Sequence, residues 1–236
     1  MASFIVRCVP NTLTCCNLIS GAIATKFAFE GNLDVALTFI ITGAVFDFFD
    51  GFSARLLHVS SPIGKELDSL ADVTTFGAAP SAIVFSLLNT SFTNDSIPLL
   101  PYTAFLIAAF SALRLAKFNL DERQTTSFIG LPTPANALFW GALAIGCTDT
   151  CTELPDSLMA GIILGLVVIS CWLLIAEIPM FALKFKNFGL KDNALRYLFI
   201  VTSLALILLF RTTGIAFAIV WYICLLYTSP SPRDGL

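Results

Sequence analysis

Long apolar runs separated by short polar clusters follow one another from near the first residue to about Leu226. Eight stand out, at residues 11–29, 34–50, 67–88, 98–117, 131–147, 157–178, 195–210 and 213–227. Their lengths approach the roughly 20 residues that cross about 30 Å of hydrocarbon in a helix. Between them lie helix breakers and polar clusters: Glu30-Gly31-Asn32, Ser60-Ser61-Pro62, Asn94-Asp95-Ser96, Thr148-Asp149-Thr150 and Lys186-Asn187-Phe188-Gly189. The pattern predicts an all-α, polytopic transmembrane helix bundle of about eight spans. Residues 1–227 form one membrane domain, with no room for a soluble one. The first run begins close to Met1 without a small-residue cleavage pattern, so it reads as a retained span rather than a signal peptide.

Composition agrees with this reading and removes other classes. Of the 236 residues, 57% are hydrophobic and 12% charged, and the mean hydropathy is +0.86. A soluble core cannot absorb so much apolar surface, so the bilayer is the solvent. A net charge of -3, with no basic stripe interleaved with aromatics, excludes nucleic acid as a partner. The seven cysteines are an odd number without CxxC spacing, and Cys15, Cys16, Cys171 and Cys224 lie in apolar runs, where they read as small packing residues. After Leu226 the chain turns into Tyr-Thr-Ser-Pro-Ser-Pro-Arg-Asp-Gly-Leu, unlike anything before it; residues 228–236 read as a non-native or disordered tail.

Basic residues orient the bundle, because Lys and Arg in short loops stay on the cytoplasmic side. Arg7, Arg55, Lys65, Arg114, Lys117, Arg123, Lys184, Lys186, Lys191 and Arg196 all fall on one face, ten of the 13 basic residues. The opposite face receives Lys26 and Arg211. Both termini are expected in the cytoplasm, with the chain integral to a bacterial-type cytoplasmic membrane.

The chemistry concentrates between the second and third runs. Asp47-Phe48-Phe49-Asp50-Gly51-Phe52-Ser53-Ala54-Arg55 is followed, after eight residues, by Gly64-Lys65-Glu66-Leu67-Asp68-Ser69-Leu70-Ala71-Asp72. Asp47 and Asp50 are three apart, and Asp68 and Asp72 four apart, so at two helix ends each pair projects from one face and the pairs converge across a hairpin. Ionised carboxylates near membrane depth cost at least about 2.5 kcal/mol each on insertion scales, so a positive charge belongs between them. Hard oxygen ligands without His or Cys nearby select Mg²⁺ or Mn²⁺, and four carboxylates suffice for two such ions. Gly51, Ala54 and Gly64 taken singly read as helix-packing positions in lipid. Beside the aspartates they read as room for a nucleotide against the backbone. Arg55 can meet phosphate oxygens.

These residues spell D-x-x-D-G-x-x-A-R-x8-G-x3-D-x3-D without a departure. The chain closely resembles the CDP-alcohol phosphotransferase family, over nearly its whole length to about Leu226. The resemblance implies a metal-dependent membrane enzyme, working as a homodimer, that splits the pyrophosphate of CDP-diacylglycerol, releases CMP and joins the phosphatidyl group to an alcohol. By that analogy Asp47, Asp50, Asp68 and Asp72 bind two Mg²⁺ or Mn²⁺ ions, and Asp72 is also the base that deprotonates the acceptor. Pro10, Asn11, Thr12, Leu13 and Thr14, with Asn17 nearby, look like the family's amino-terminal nucleotide segment, joined in the CDP-diacylglycerol site by Gly51, Ala54, Arg55, Ser61 and Gly64. On their own, the Asn and Thr residues of that segment read equally as a helix cap.

Two further stretches, Arg114-Leu115-Ala116-Lys117-Phe118-Asn119 and Phe128-Ile129-Gly130-Leu131-Pro132-Thr133-Pro134-Ala135, are similar to patterns in bacterial and archaeal members whose acceptor is serine. They point to L-serine, with Arg114, Lys117 and Asn119 on the acceptor side; the same cations also read as positive-inside anchors. Glycerol-3-phosphate and inositol phosphate stay open as acceptors, and an ion-coupled transporter stays open as another class, since acidic residues in a bundle also mark ion paths. The single histidine, His58, reads as a solvated loop residue, Glu177 as a cap, and Asp149, Glu153 and Asp156 as a solvated acidic loop.

Overall fold

The computed structural model describes residues 4–59, 61–91, 99–120, 128–150, 155–180 and 194–228. Within them the chain is helical, with α1 (Phe4–Phe29), α2 (Leu33–Leu56), α3 (Pro62–Asp72), a π-helical turn (Val73–Ala78), α4 (Ala79–Ser91), a 3₁₀ turn (Leu100–Phe105), α5 (Leu106–Leu120), α6 (Thr133–Thr150), α7 (Asp156–Ile175), α8 (Ala194–Phe210) and α9 (Thr213–Thr228). Because α3, the π turn and α4 run on as one span, as do the 3₁₀ turn and α5, the helices fall into the eight segments expected. Five are long and apolar enough to cross a membrane, and Arg196–Phe210 and Thr213–Leu225 are shorter apolar helices. The outward faces confirm the solvent: Val168 is 66% exposed, Leu208 74% and Leu209 75%.

The inner faces are made largely of small residues. Ala24, Ala28, Ala36, Ala82, Ala137 and Ala142 are fully buried beside Ile40, Phe76, Ile83 and Trp140. Small side chains let helices approach closely, which is what drives association where lipid is as apolar as the core. The indole of Trp140 donates from Nε1 to Ser170 Oγ at 3.1 Å, and Ser170 donates to Asn136 Oδ1 at 2.5 Å. That chain of bonds pairs the indole N–H, the Ser170 hydroxyl and the Asn136 amide oxygen, and ties α6 to α7.

Helix ends depart from the apolar runs for local reasons. Helix α1 starts at Phe4, with Pro10 inside it, so Asn11, Thr12 and Thr14 lie along the helix and none serves as its cap. Helix α3 starts at Pro62 because Ser61 accepts from Gly64 N–H at 2.9 Å and Pro62 has no N–H to lose. Asp68 therefore sits well inside α3 and Asp72 at its last residue, where the span runs on into the π turn, rather than at a helix start. The turn from α2 to α3 passes through His58, exposed and with φ at 49°. The polar clusters around Asp95 and Lys186, the side chains of Asp149, Glu153 and Asp156, and residues 229–236 lie outside the described residues.

A short antiparallel pairing had no signal in the apolar pattern. Phe128 and Ile129 (β1) pair with Met180 and Pro179 (β2), joining the segment after α5 to the segment after α7. Gly130 follows with φ at 76°; its N–H donates to Ile178 O at 3.0 Å, and Leu131 N–H donates to Leu173 O at 3.0 Å. A Cβ on Gly130 would stand 2.9 Å from Leu174 O and 3.1 Å from Ala176 O. Gly130 thus meets two demands at once, a left-handed backbone and close approach to the end of α7. Gly130→Ala is expected to lower the thermal midpoint of the detergent-solubilised protein by several degrees, since the left-handed backbone alone costs a non-glycine residue about 1–2 kcal/mol. An unchanged midpoint would show that the strap contributes little.

Candidate active site

Helices α1, α2 and α3 meet at one end of the bundle, and α1 packs most extensively along α2. Their facing sides carry the acidic residues. One carboxylate oxygen each from Asp47, Asp50 and Asp68 lies within 4.8 Å of the others. Asp50 is buried and accepts from Thr14 Oγ1 at 2.6 Å. Asp68 Oδ1 is buried with no hydrogen-bond partner. Asp72, one turn further along α3, accepts at Oδ1 from Asn17 Nδ2 at 3.3 Å. It interacts electrostatically with Asp47, Asp68, Asp50 and Arg114.

Magnitudes decide what this cluster requires. Two ionised carboxylates within 4.8 Å repel by at least about 3 kcal/mol at an effective dielectric constant of about 20. One hydroxyl donor such as Thr14 returns about 1–3 kcal/mol, which leaves most of the repulsion to be offset by a proton or a bound cation. Its donor set is all oxygen, and the orphaned Asp68 Oδ1 is an open ligand position, which fits a hard divalent ion.

Beside the carboxylates is a cleft of about 260 Å³. Pro10, Asn11 and Thr14 of α1, Asp50, Gly51 and Ala54 of α2, and Ser61, Gly64, Lys65 and Asp68 around the start of α3 line it, with Val59 between. Gly64 lets α1 approach α3: a Cβ there would stand 3.0 Å from Asn11 Oδ1 and 3.1 Å from Ser61 Oγ. Gly51 is different, because a Cβ on it would meet nothing nearer than Arg55 Nη1 at 3.7 Å. Its smallness is not used for helix packing; it keeps the cleft open.

Of the nucleotide contacts expected from sequence, Pro10, Asn11, Thr14, Gly51, Ala54, Ser61 and Gly64 share this wall. Thr12 and Leu13 do not. Successive helical residues are rotated by about 100°, so Thr12 is exposed, donating to Cys8 O at 2.8 Å, and Leu13 is half-buried away from the lining. Arg55 is exposed at the end of α2, by the rim.

The expected acceptor residues separate. Arg114 is only 8% exposed and has a buried Nε without a partner. Lys117 is exposed. Asn119 joins α5 to α3, donating from Nδ2 to Ser69 Oγ at 2.8 Å and accepting at its backbone oxygen from Lys65 Nζ at 3.3 Å. Lys65 itself was missed as a cleft residue; its position nearly one turn before Asp68 on the same helix is the signal that could have found it. The Thr14–Asp50 and Asn17–Asp72 bonds cross between helices and have no counterpart in local spacing. His58 and Glu177 are exposed and take no part.

The chain is 40% identical over 126 residues to a CDP-diacylglycerol--serine O-phosphatidyltransferase of Bacillus subtilis, covering 53% of this chain and 69% of that one. It is 29% identical over 203 residues to the enzyme of that name from Helicobacter pylori strain J99, covering 84% of this chain and 80% of the relative. It is 32% identical over 163 residues to that of Methanocaldococcus jannaschii, covering 69% of this chain and 71% of the relative. Residues 7–182, which hold all four aspartates and the whole cleft, match the model of the CDP-alcohol phosphatidyltransferases, and the chain belongs to that family.

Proposed function

We propose that the chain transfers the phosphatidyl group of CDP-diacylglycerol to the hydroxyl of L-serine, giving phosphatidylserine and CMP in phospholipid biosynthesis. The observation that carries this reading is the convergence of Asp47, Asp50 and Asp68 beside a cleft with an open glycine floor at Gly51. The names of the relatives supply the donor and the acceptor.

Asp47, Asp50, Asp68 and Asp72 would hold two Mg²⁺ or Mn²⁺ ions, which when bound supply positive charge for the diphosphate and the departing CMP. Thr14 holds Asp50 by its hydroxyl and fixes that carboxylate. Pro10, Asn11, Gly51, Ala54, Ser61 and Gly64 leave space for the cytidine end of the donor, and Arg55 and Lys65 face its phosphate oxygens from the rim. Asp72 takes the proton of the serine hydroxyl as the new O–P bond forms and the bond from phosphorus to the CMP oxygen breaks. Arg114, buried and next to Asp72, pairs with the serine carboxylate. The single buried cation among the described residues matches a carboxylate better than a phosphate dianion, and exposed Lys117 reads as a membrane-boundary anchor. The site opens at the cytoplasmic boundary, supported by exposed Arg55, Lys65 and Lys117 around it, and the working form is a homodimer.

Two outcomes test this. Purified protein given CDP-diacylglycerol and Mg²⁺ or Mn²⁺ should release CMP with L-serine and not with glycerol-3-phosphate or inositol phosphate. Preference for a phosphorylated acceptor would refute serine and leave the family chemistry standing. Gly51→Leu, whose Cβ meets nothing nearer than Arg55 Nη1 at 3.7 Å, should abolish CMP binding in calorimetry while the protein stays folded; parent-like CMP affinity would place the nucleotide elsewhere.

A further inference from the structure

Asp72 closes the α-helical part of the third span, and the six residues after it form the π-helical turn Val73–Ala78. Single π turns inside α-helices gather at functional sites, because the widened backbone moves the residues around it out of register. This one thrusts Thr75 between α1 and α2. A Cβ on Gly21 would stand 2.6 Å from Thr75 Cα and 2.7 Å from its N, and a Cβ on Gly43 would stand 2.6 Å from Thr75 Cγ2. Thr75 therefore fills two notches, one on each helix, and is fully buried.

From there its hydroxyl donates to Asn17 O at 3.0 Å. Asn17 is also fully buried, and its Oδ1 would be 2.9 Å from a Cβ on Gly43. That oxygen has no hydrogen-bond partner, whereas the amide's other end, Nδ2, donates to Asp72 Oδ1 at 3.3 Å. An unsatisfied buried amide oxygen costs about 1–3 kcal/mol. The arrangement gives up that oxygen and keeps the donor on the carboxylate.

We infer that Thr75 and Asn17 are positioning residues for Asp72: the π turn seats the Thr75 hydroxyl on the backbone of Asn17, and Asn17 holds one oxygen of Asp72 so that the other meets the acceptor hydroxyl. The inference rests on the reading of Asp72 as the base. It assigns the two glycines a purpose beyond packing, since a methyl group at Gly21 or Gly43 would push Thr75 out of its seat. It also explains why a polar pair lies fully buried between the first and third spans.

Thr75→Val keeps the shape and removes the hydroxyl; Thr75→Ser keeps the hydroxyl and removes the methyl group. Misplacement of a reacting group by about 1 Å can cost on the order of 10²-fold, so Thr75→Val is expected to lower kcat about tenfold or more. KM for CDP-diacylglycerol and the thermal midpoint should both stay close to the parent's, because an effect confined to kcat marks an interaction made in the transition state. Thr75→Ser should recover most of the lost kcat. Asn17→Ala should show the same loss confined to kcat, and it decides the matter if Thr75→Val does not accumulate in the membrane. Parent-like kcat in Thr75→Val or Asn17→Ala, or an equal loss in Thr75→Ser, would overturn the inference while an inert Asp72→Asn leaves the base reading intact. Turnover by Asp72→Asn would overturn both.

Discussion

Mutual repulsion among carboxylates is the constraint around which this protein is built. Asp47, Asp50 and Asp68 bring oxygens within 4.8 Å of one another inside a bundle whose outer surface is hydrocarbon-facing. Ionised groups so close cannot be stabilised by the few neutral donors present, and a low-dielectric surrounding strengthens the repulsion. A fold that keeps them together must hold them by helix packing, and the all-oxygen cluster fits the divalent cations proposed for it. The features of the first three helices follow from those two needs. Glycines and alanines bring the helices close, Thr14 and Asn17 each hold one acidic residue, and the cleft stays open at Gly51.

The remaining helices support this end of the bundle rather than enter it. Arg114 on α5 interacts electrostatically with Asp72, and Asn119 ties the end of that helix to Ser69 and Lys65 on α3. Helices α6 and α7 are joined by the buried Trp140–Ser170–Asn136 chain, and the strap through Gly130 fixes the start of α6 against the end of α7. Rigid surroundings matter for in-line transfer, where a small misplacement of donor or acceptor is expensive in rate.

Much of this was legible in the sequence, and the rest was not for identifiable reasons. The membrane class and the eight segments follow from apolar length alone, because the bilayer imposes a single scale. The acidic cluster follows from three- and four-residue spacing on helices, which is local geometry. Family membership follows from eight fixed positions at fixed intervals. Interhelical relations stayed hidden: that Thr14 bonds Asp50, that Asn17 bonds Asp72 and that Asn119 belongs to a joint with Ser69 depend on which faces meet. A contiguous segment such as Pro10 to Thr14 was read as a unit, whereas a helix presents only some of its residues to one side, so Thr12 and Leu13 fell away from the cleft. The π turn left no signature that composition or periodicity could reveal, and the strap at Gly130 left only its glycine.

The central claim is that the four aspartates hold divalent cations needed for nucleotide chemistry. Titration of Mn²⁺ into the purified protein, followed by electron paramagnetic resonance in the presence and absence of CMP, tests it directly. The account predicts saturable binding of two ions per chain, strengthened by CMP and lost or severely weakened in Asp47→Asn, Asp50→Asn and Asp68→Asn, because each replaces a charged ligand with a neutral one. Saturable Mn²⁺ binding that is unchanged in those three variants, or no binding by an active parent protein, would contradict it.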